Sequence, residues 1–186
     1  MNPEIRSEVI RNTVAWLKII FIVFIAALFI DNVVIVNANV PTASMMDTVQ
    51  PDDRLIASRL AYLITQPKRY DIVVLRYPDD RSKLFVKRII GLPGETVNIR
   101  GGEVYITGPD GVEDPTPLDD SFLPEPADDQ DFGPYEVPDG CYFMLGDNRN
   151  YSLDSRDWTN TYVPRNDIVG KVLFRYYPHF KWLLGK

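Results

Sequence analysis

The chain has 186 residues, of which 45% are hydrophobic, so it can bury one core of ordinary size. Its net charge is −6 and no long basic run is present, which argues against a nucleic-acid partner. A single cysteine excludes an intramolecular disulfide, and a single histidine argues against a zinc hydrolase. Fifteen prolines and eleven glycines indicate many turns and short strands.

An apolar stretch near the N-terminus is the first predicted element. Twelve uninterrupted apolar residues run from Ile19 to Ile30, and the apolar region reaches residues 14–36 if three polar residues are accepted within it. About 20 helical residues cross a hydrocarbon core of ~30 Å. The stretch therefore predicts a single transmembrane anchor over residues 14–36, with the lipid bilayer as a partner.

Charged residues on the two sides of this stretch predict its orientation. Asp31 follows the uninterrupted run, and the basic residues Arg6, Arg11 and Lys18 precede it. By the positive-inside rule, residues 1–13 form a cytoplasmic tail and residues 37–186 an extracytoplasmic domain.

Two alternatives to an anchor remain open. A buried core helix would normally show polar residues at helical spacing, and the run has none. A cleavable signal peptide fits the length of the run, and the Val36-Asn37-Ala38 segment has the small-residue pattern of a cleavage site.

Beyond residue 37, short β-branched runs alternate with turn residues. One candidate helix lies within residues 55–63. Strands are predicted at residues 70–77, 84–90, 96–99, 103–107, 141–145 and 168–177. This pattern predicts a mainly β domain, with an antiparallel sheet or a partly open barrel.

An acidic, proline-rich segment interrupts the strands at residues 108–140. Thirteen acidic residues and no lysine or arginine fall between residues 101 and 148, which predicts a solvated surface loop.

Ser44 and Lys87 are the candidate catalytic pair. A serine hydroxyl becomes a good nucleophile when a neighbouring base takes its proton. A lysine amine can be that base if burial lowers its pKa toward neutrality. Because alternate strand residues share a face, Phe85 and Ile89 would surround the Lys87 amine with apolar groups.

Less specific interpretations compete with this pair. A serine in a loop is commonplace, and a lysine in a strand usually faces water. A Ser-His-Asp triad would have to use His179, and Cys141 is interpreted as a small buried hydrophobe in its strand.

Four ordered segments resemble the conserved boxes of bacterial type I signal peptidases, a family of Ser/Lys endopeptidases. They are residues 41–48 (PTASMMDT), 70–74 (YDIVV), 85–95 (FVKRIIGLPGE) and 146–156 (GDNRNYSLDSR). The similarity covers most of residues 14–176. It implies an enzyme of the bacterial cytoplasmic membrane that cuts signal peptides from exported preproteins after Ala-X-Ala, through an acyl-enzyme. It implies no metal and no cofactor.

The resemblance also implies roles for single residues. Ser44 would be the nucleophile and Lys87 the general base. Ser152 would orient the lysine amine, and the Thr42 hydroxyl would join the Ser44 N–H in an oxyanion hole. Asp154 and Arg156 would form a structural ion pair, with Asp147, Asn148 and Arg149 shaping their loop. Shallow substrate pockets would be lined by Val40, Met45, Val49, Phe85 and Val86.

The chain departs from this family at two positions. Asp47 stands where the serine box usually has proline, and its carboxylate would oppose catalysis if it lay close to Lys87. Phe85 stands where some members have tyrosine. Two rival functions remain: a Ser/Lys autoprotease of the repressor-cleaving type, which lacks a span, and an anchored β domain that binds partners without activity.

Overall fold

The N-terminal apolar stretch forms a long helix in a computed structural model that describes residues 3–123 and 125–184. Helix α1 spans Pro3–Phe29 and passes into a π-helical turn at Ile30–Val34. Its segment Arg11–Phe29 is long and apolar enough to cross a membrane. Every side chain from residue 11 to residue 31 is exposed, so α1 is not a core helix of the described domain.

The first strand begins within the span predicted from the sequence. Strand β1 (Ile35–Asn39) follows the π-helical turn directly and pairs with β2 (Arg54–Ser58). Val36 is buried in the core, whereas the prediction placed it in the anchor. The helical part of the predicted 14–36 span thus ends at Val34, because pairing with β2 draws the last two residues into the sheet.

The domain is built from two antiparallel sheets. Besides β1 and β2, the elements are α2 (Ala61–Ile64), β3 (Ile72–Tyr77), β4 (Asp80–Gly91), β5 (Thr96–Arg100), β6 (Glu103–Thr107), β7 (Phe132–Glu136), β8 (Cys141–Leu145), β9 (Val163–Pro164), β10 (Ile168–Tyr177) and β11 (Lys181–Trp182). The larger sheet has the strand order β1-β2-β10-β3-β4-β8-β9, with β11 against β10, and the smaller has the order β6-β5-β7. The larger sheet is open, since β1 and β9 lie at its two ends. The predicted mainly β fold with one N-terminal helix is confirmed.

The candidate helix within residues 55–63 forms only at the end of that range, because residues 55–58 belong to β2 and helix α2 begins at Ala61. Leu55 and Ala57 are fully buried and alternate with less buried neighbours, which is the two-residue period of β2. Pairing of β2 with both β1 and β10 outweighs local helix propensity there. Only the four residues of α2 are helical.

The acidic segment is less irregular than its composition indicates. It contains β7, which pairs with β5 through Val97–Tyr135 and Thr96–Glu136. Leu118 also packs against the apolar cluster between the two sheets. The polar composition hides these contacts, because backbone pairing in β7 needs few apolar side chains.

The core lies on both faces of the central strands. Ile72 and Val74 face one apolar cluster, and Val73 and Leu75 face another. Strand β4 is exposed in its first half and buried from Val86 to Gly91. The buried half of β4 carries the candidate lysine.

Gly91 lies where the two sheets meet, and it cannot accept a side chain. A Cβ there would lie 2.6 Å from a methyl carbon of Val97 and 2.9 Å from Cβ of Phe143. We expect Gly91→Ala to lower the free energy of unfolding by about 1–3 kcal/mol through overpacking. Urea unfolding of the full chain in detergent measures this, and an unchanged midpoint would contradict the described sheet packing.

Candidate active site

Ser44 lies in a compact turn between β1 and β2. The Met46 N–H donates to the Ala43 carbonyl at 3.0 Å, and the Val49 N–H donates to the Met45 carbonyl at 2.8 Å. Met45 and Val49 are fully buried in the core. Packing of these two side chains in the core holds the turn in place, and Ser44 remains 9% exposed.

Residues that follow β8 hold the same turn from another side. The Asn148 N–H donates to the Ser44 carbonyl at 3.1 Å, and its side-chain amide donates to the Ala43 carbonyl at 3.0 Å. Gly146 lies so close that a Cβ would sit 2.4 Å from the Ser44 carbonyl oxygen and 2.1 Å from Ser152 Oγ. Glycine is therefore required at this position.

Lys87 reaches Ser44 from the buried half of β4. Its Nζ donates to Ser44 Oγ at 2.5 Å, and the residue is only 2% exposed. The Phe85 ring centroid lies 5.5 Å from Nζ, in line with the shared strand face expected from the sequence. The two candidate groups, far apart in sequence, are thus in direct contact.

Burial has a large effect on this amine. Loss of water around the ammonium lowers the pKa of Lys87 from 10.5 to about 8. The carboxylates of Asp154 and Asp147 act in the opposite direction, and the Arg156 guanidinium adds to the lowering of this pKa. A useful fraction of such an amine is neutral near neutral pH, and a neutral amine can accept a proton from a hydroxyl in contact with it.

Two further donors lie beside the Ser44 hydroxyl. Thr42 Oγ1 is 3.3 Å from Ser44 Oγ, within hydrogen-bond distance. Among the residues that the structure describes, no acceptor pairs with the Ser44 backbone N–H. A hydroxyl and a free N–H at this place are the types of donor that stabilise an oxyanion.

Ser152 is buried next to Gly146, and its hydroxyl has no hydrogen-bond partner within the described part of the chain. The sequence-based role of Ser152, a hydrogen bond to the Lys87 amine, remains a prediction. The Ser152 side chain is nevertheless packed against the turn that carries Ser44, through Gly146.

The expected ion pair beside the site is present. Arg156 donates to both carboxylate oxygens of Asp154, at 2.9 and 3.0 Å, and Asp154 is fully buried. The second oxygen of Asp154 also accepts from the Gly146 N–H at 3.0 Å. This carboxylate therefore positions the glycine that contacts the serine turn.

Two other ion pairs were not predicted from the sequence. Arg88 forms a two-pronged contact with Asp147, at 2.8 and 2.6 Å, and both side chains are almost fully buried. Arg149 pairs with Asp120 of the acidic segment. The position of Arg149 directly after the acidic region is the only signal in the sequence that could have indicated the second pair.

A cleft of about 230 Å³ opens over Ser44 and Lys87. Three of the five predicted pocket residues line it: Val40, Phe85 and Val86. Met45 and Val49 do not line the cleft, because they are buried in the core beneath the serine turn. Sequence reasoning missed Tyr151 and Leu153, which line the cleft on either side of Ser152 and are exposed despite their apolar character.

Asp47 is exposed and accepts a hydrogen bond from the Gln50 side-chain amide at 3.3 Å. It is not among the charges that shift the pKa of Lys87. Its φ angle of 71° lies in the left-handed region, which proline cannot adopt because its ring holds φ near −65°. The backbone described at Asp47 would therefore have to change to accept a proline.

We expect Asp47→Pro to destabilise the fold by about 1–3 kcal/mol, because φ must change sign three residues after Ser44. Asp47→Asn, which tolerates the left-handed region, serves as the matched control and should keep the melting temperature. Thermal unfolding of both variants in detergent checks this. Equal melting temperatures would contradict the described turn.

We expect Gly146→Ala to slow the reaction of Ser44 with a peptide by about a hundredfold, since the new methyl group must displace Ser44 or Ser152. Peptide hydrolysis by the purified variant is the measurement, with circular dichroism as the check on folding. A folded variant with full activity would show that the described contact is wrong.

Known proteins are similar to this chain over most of its length. Residues 13–177 match the model of the family described as signal peptidase, peptidase S26. Signal peptidase I of Leptolyngbya laminosa is 38% identical over 170 residues, which cover 87% of this chain and 78% of that protein. Signal peptidase I S of Bacillus subtilis strain 168 is 34% identical over 171 residues, 90% of this chain and 91% of that protein.

Among solved structures, a signal peptidase I from Enterococcus faecalis V583 is 32% identical, with a TM-score of 0.46 over 58% of this chain and 97% of that chain. The family match covers most of the residues that form the anchor candidate, the sheets and the cleft. On the strength of the family match and the two similar signal peptidases, the chain belongs to the signal peptidase family, peptidase S26.

Proposed function

We propose that this protein is a membrane-bound serine endopeptidase that removes signal peptides from exported preproteins. Ser44 is the nucleophile and Lys87 the general base of a Ser/Lys dyad. The observation that carries the proposal is the 2.5 Å contact between a buried lysine Nζ and a serine Oγ at the floor of an open cleft. Membership of the signal peptidase family supports the substrate class.

Acylation begins when neutral Lys87 takes the proton of Ser44 Oγ, which attacks the scissile carbonyl carbon. The tetrahedral oxyanion accepts hydrogen bonds from the Ser44 N–H and the Thr42 hydroxyl. When the intermediate collapses, the C–N bond breaks and the Lys87 ammonium returns its proton to the leaving amine. The signal peptide is then held as an ester on Ser44.

Deacylation follows the same steps, with water in place of the Ser44 hydroxyl as the nucleophile. Lys87 takes a proton from a water molecule, whose oxygen attacks the ester carbonyl. Collapse of the second intermediate breaks the bond to Ser44 Oγ, which recovers a proton from Lys87. The signal peptide leaves with a free carboxyl group, and both residues return to their starting states.

Cleft size supports a preference for small side chains before the scissile bond. The cleft is about 230 Å³, with the aromatic ring of Phe85 and the branched side chains of Val40 and Val86 in its walls. Alanine fits beside such walls, whereas larger side chains would overpack them. The cleft therefore supports the Ala-X-Ala preference that the family resemblance implies.

The N-terminal helix supports action at the cytoplasmic membrane of a bacterium. Helix α1 spans the bilayer with residues 1–13 in the cytoplasm, since basic residues precede its apolar run. Because β1 begins directly after the π-helical turn, the extracytoplasmic domain is held close to the bilayer surface. Confinement of enzyme and substrate to one bilayer raises their effective concentration.

We expect purified wild-type protein to cut a preprotein after Ala-X-Ala, and Ser44→Ala and Lys87→Ala to lose at least about a thousandfold of this activity. Mass spectrometry of the product termini identifies the cleavage site. Lys83→Ala is the matched control, because Lys83 is an exposed lysine of the same strand and should retain activity.

Cleavage by Ser44→Ala at the wild-type rate would reject the dyad. A folded wild-type protein that binds preprotein but never cuts it would favour the alternative of an inactive binding domain.

A further inference from the structure

A second cleft adjoins the first on the other side of the serine turn. It has a volume of about 450 Å³. Ala43 and Tyr151 line both clefts, so they form the wall between them. The remaining lining residues of the second cleft are Met46, Asp47, Glu125 and Asn148.

Substrate geometry gives the second cleft a role. The first cleft contains Ser44, Lys87 and the apolar walls, so it accommodates residues before the scissile bond. An extended peptide advances about 3.3 Å per residue, so the residues after the bond must leave past Ser44 within a few ångströms. The second cleft begins at Ala43, the immediate neighbour of Ser44, and offers the space for them.

The second cleft carries negative charge. Asp47 and Glu125 are its charged lining residues, and no lysine or arginine lines it. Both carboxylates are exposed, and neither forms an ion pair within residues 3–123 and 125–184. Asp47 accepts only from the neutral Gln50 amide. Asp47 also lines a neighbouring cleft whose lining includes Lys181 and the Asp147-paired Arg88. The two carboxylates therefore give the second cleft an excess of negative charge that attracts cations and repels anions, and Lys181 reduces this effect.

We propose that the second cleft binds the first residues of the mature chain and favours basic over acidic side chains there. This inference rests on the proposed peptidase function and adds a specificity that Asp47 and Glu125 determine. Asp47 contributes because it replaces an uncharged proline of the resembling family with a carboxylate at the cleft wall.

The expected size of the effect is moderate. Exposed carboxylates are screened by water and salt, and each typically changes binding by a few-fold. Two carboxylates attract a lysine and repel a glutamate that follows the scissile bond. At low salt, a peptide with lysine there should therefore have a kcat/KM about tenfold higher than one with glutamate.

The test uses peptides that are identical up to the scissile bond and carry Lys, Gln or Glu at each of the first two positions after it. Full-length protein in detergent micelles should cut them in the order Lys, Gln, Glu, with a Lys-to-Glu ratio of about ten. The double variant Asp47→Asn/Glu125→Gln should reduce this ratio to about two or less. Raising the salt concentration should reduce it in the wild type as well.

Asp52→Asn is the matched control. Asp52 is another exposed aspartate in the left-handed region, with φ 67°, and it lines neither cleft. The control should keep the wild-type ratio.

A wild type that cuts all three peptides at equal rates, or a double variant that keeps the wild-type ratio, would overturn the inference while leaving the peptidase function intact. Failure of the wild type to cut any peptide would overturn the proposed function, and the inference with it.

Discussion

Removing an ammonium group from water costs several kcal/mol, and the amine of Lys87 reduces this cost by giving up its proton more readily. The same burial that disfavours the charged form places the amine against Ser44 Oγ, 2.5 Å away. Much of the surrounding structure excludes water from this contact and holds the two side chains in position. The buried half of β4 supplies the lysine, and the core beneath the serine turn fixes its partner.

The segment 146–156 connects these parts. Asp147 binds Arg88, the neighbour of Lys87 on β4, and Asn148 binds the serine turn. Breaking one partner of a buried ion pair typically costs 3–5 kcal/mol, so the contact of Arg88 with Asp147 constrains the segment strongly. Ser44 and Lys87 are thereby held in place by one common segment, although they belong to different elements.

The same segment also reaches the acidic region. Arg149 binds Asp120, and the side-chain oxygen of Asn150 accepts from the Asp128 N–H at 2.8 Å. These contacts attach the acidic region to the segment 146–156, so the region is not free in solvent. Glu125 lies within this attached region, which explains how a residue so far along the chain comes to line a cleft beside Ser44.

Local patterns predicted a large part of this fold. The strands at 103–107, 141–145 and 168–177 coincide with β6, β8 and β10, because alternation and turn residues mark their ends. Strands β2 and β7 were missed because pairing with distant strands determines them, and such pairing leaves little trace in a short window. The contact between Ser44 and Lys87 was predicted from their chemistry and from the family resemblance.

Other features of the site could not be read from the sequence. Alternation along β4 indicated that Lys87 would be buried with Phe85, but it could not distinguish cleft walls from core. Met45 and Val49 were assigned to the walls by the family resemblance, and the fold of the turn directs them into the core instead. Which side a turn residue faces depends on contacts made by Asn148, far along the chain.

The most direct test of this account is an NMR titration of the Lys87 side chain in the full-length protein. Lysine labelled with ¹³C at Cε reports the charge of each amine, and the signal absent from Lys87→Ala identifies the residue. The account predicts a midpoint of about 8, so the neutral base appears, and peptidase activity rises, as the pH increases through that value. A midpoint near 10.5, the value for an exposed lysine, would contradict it.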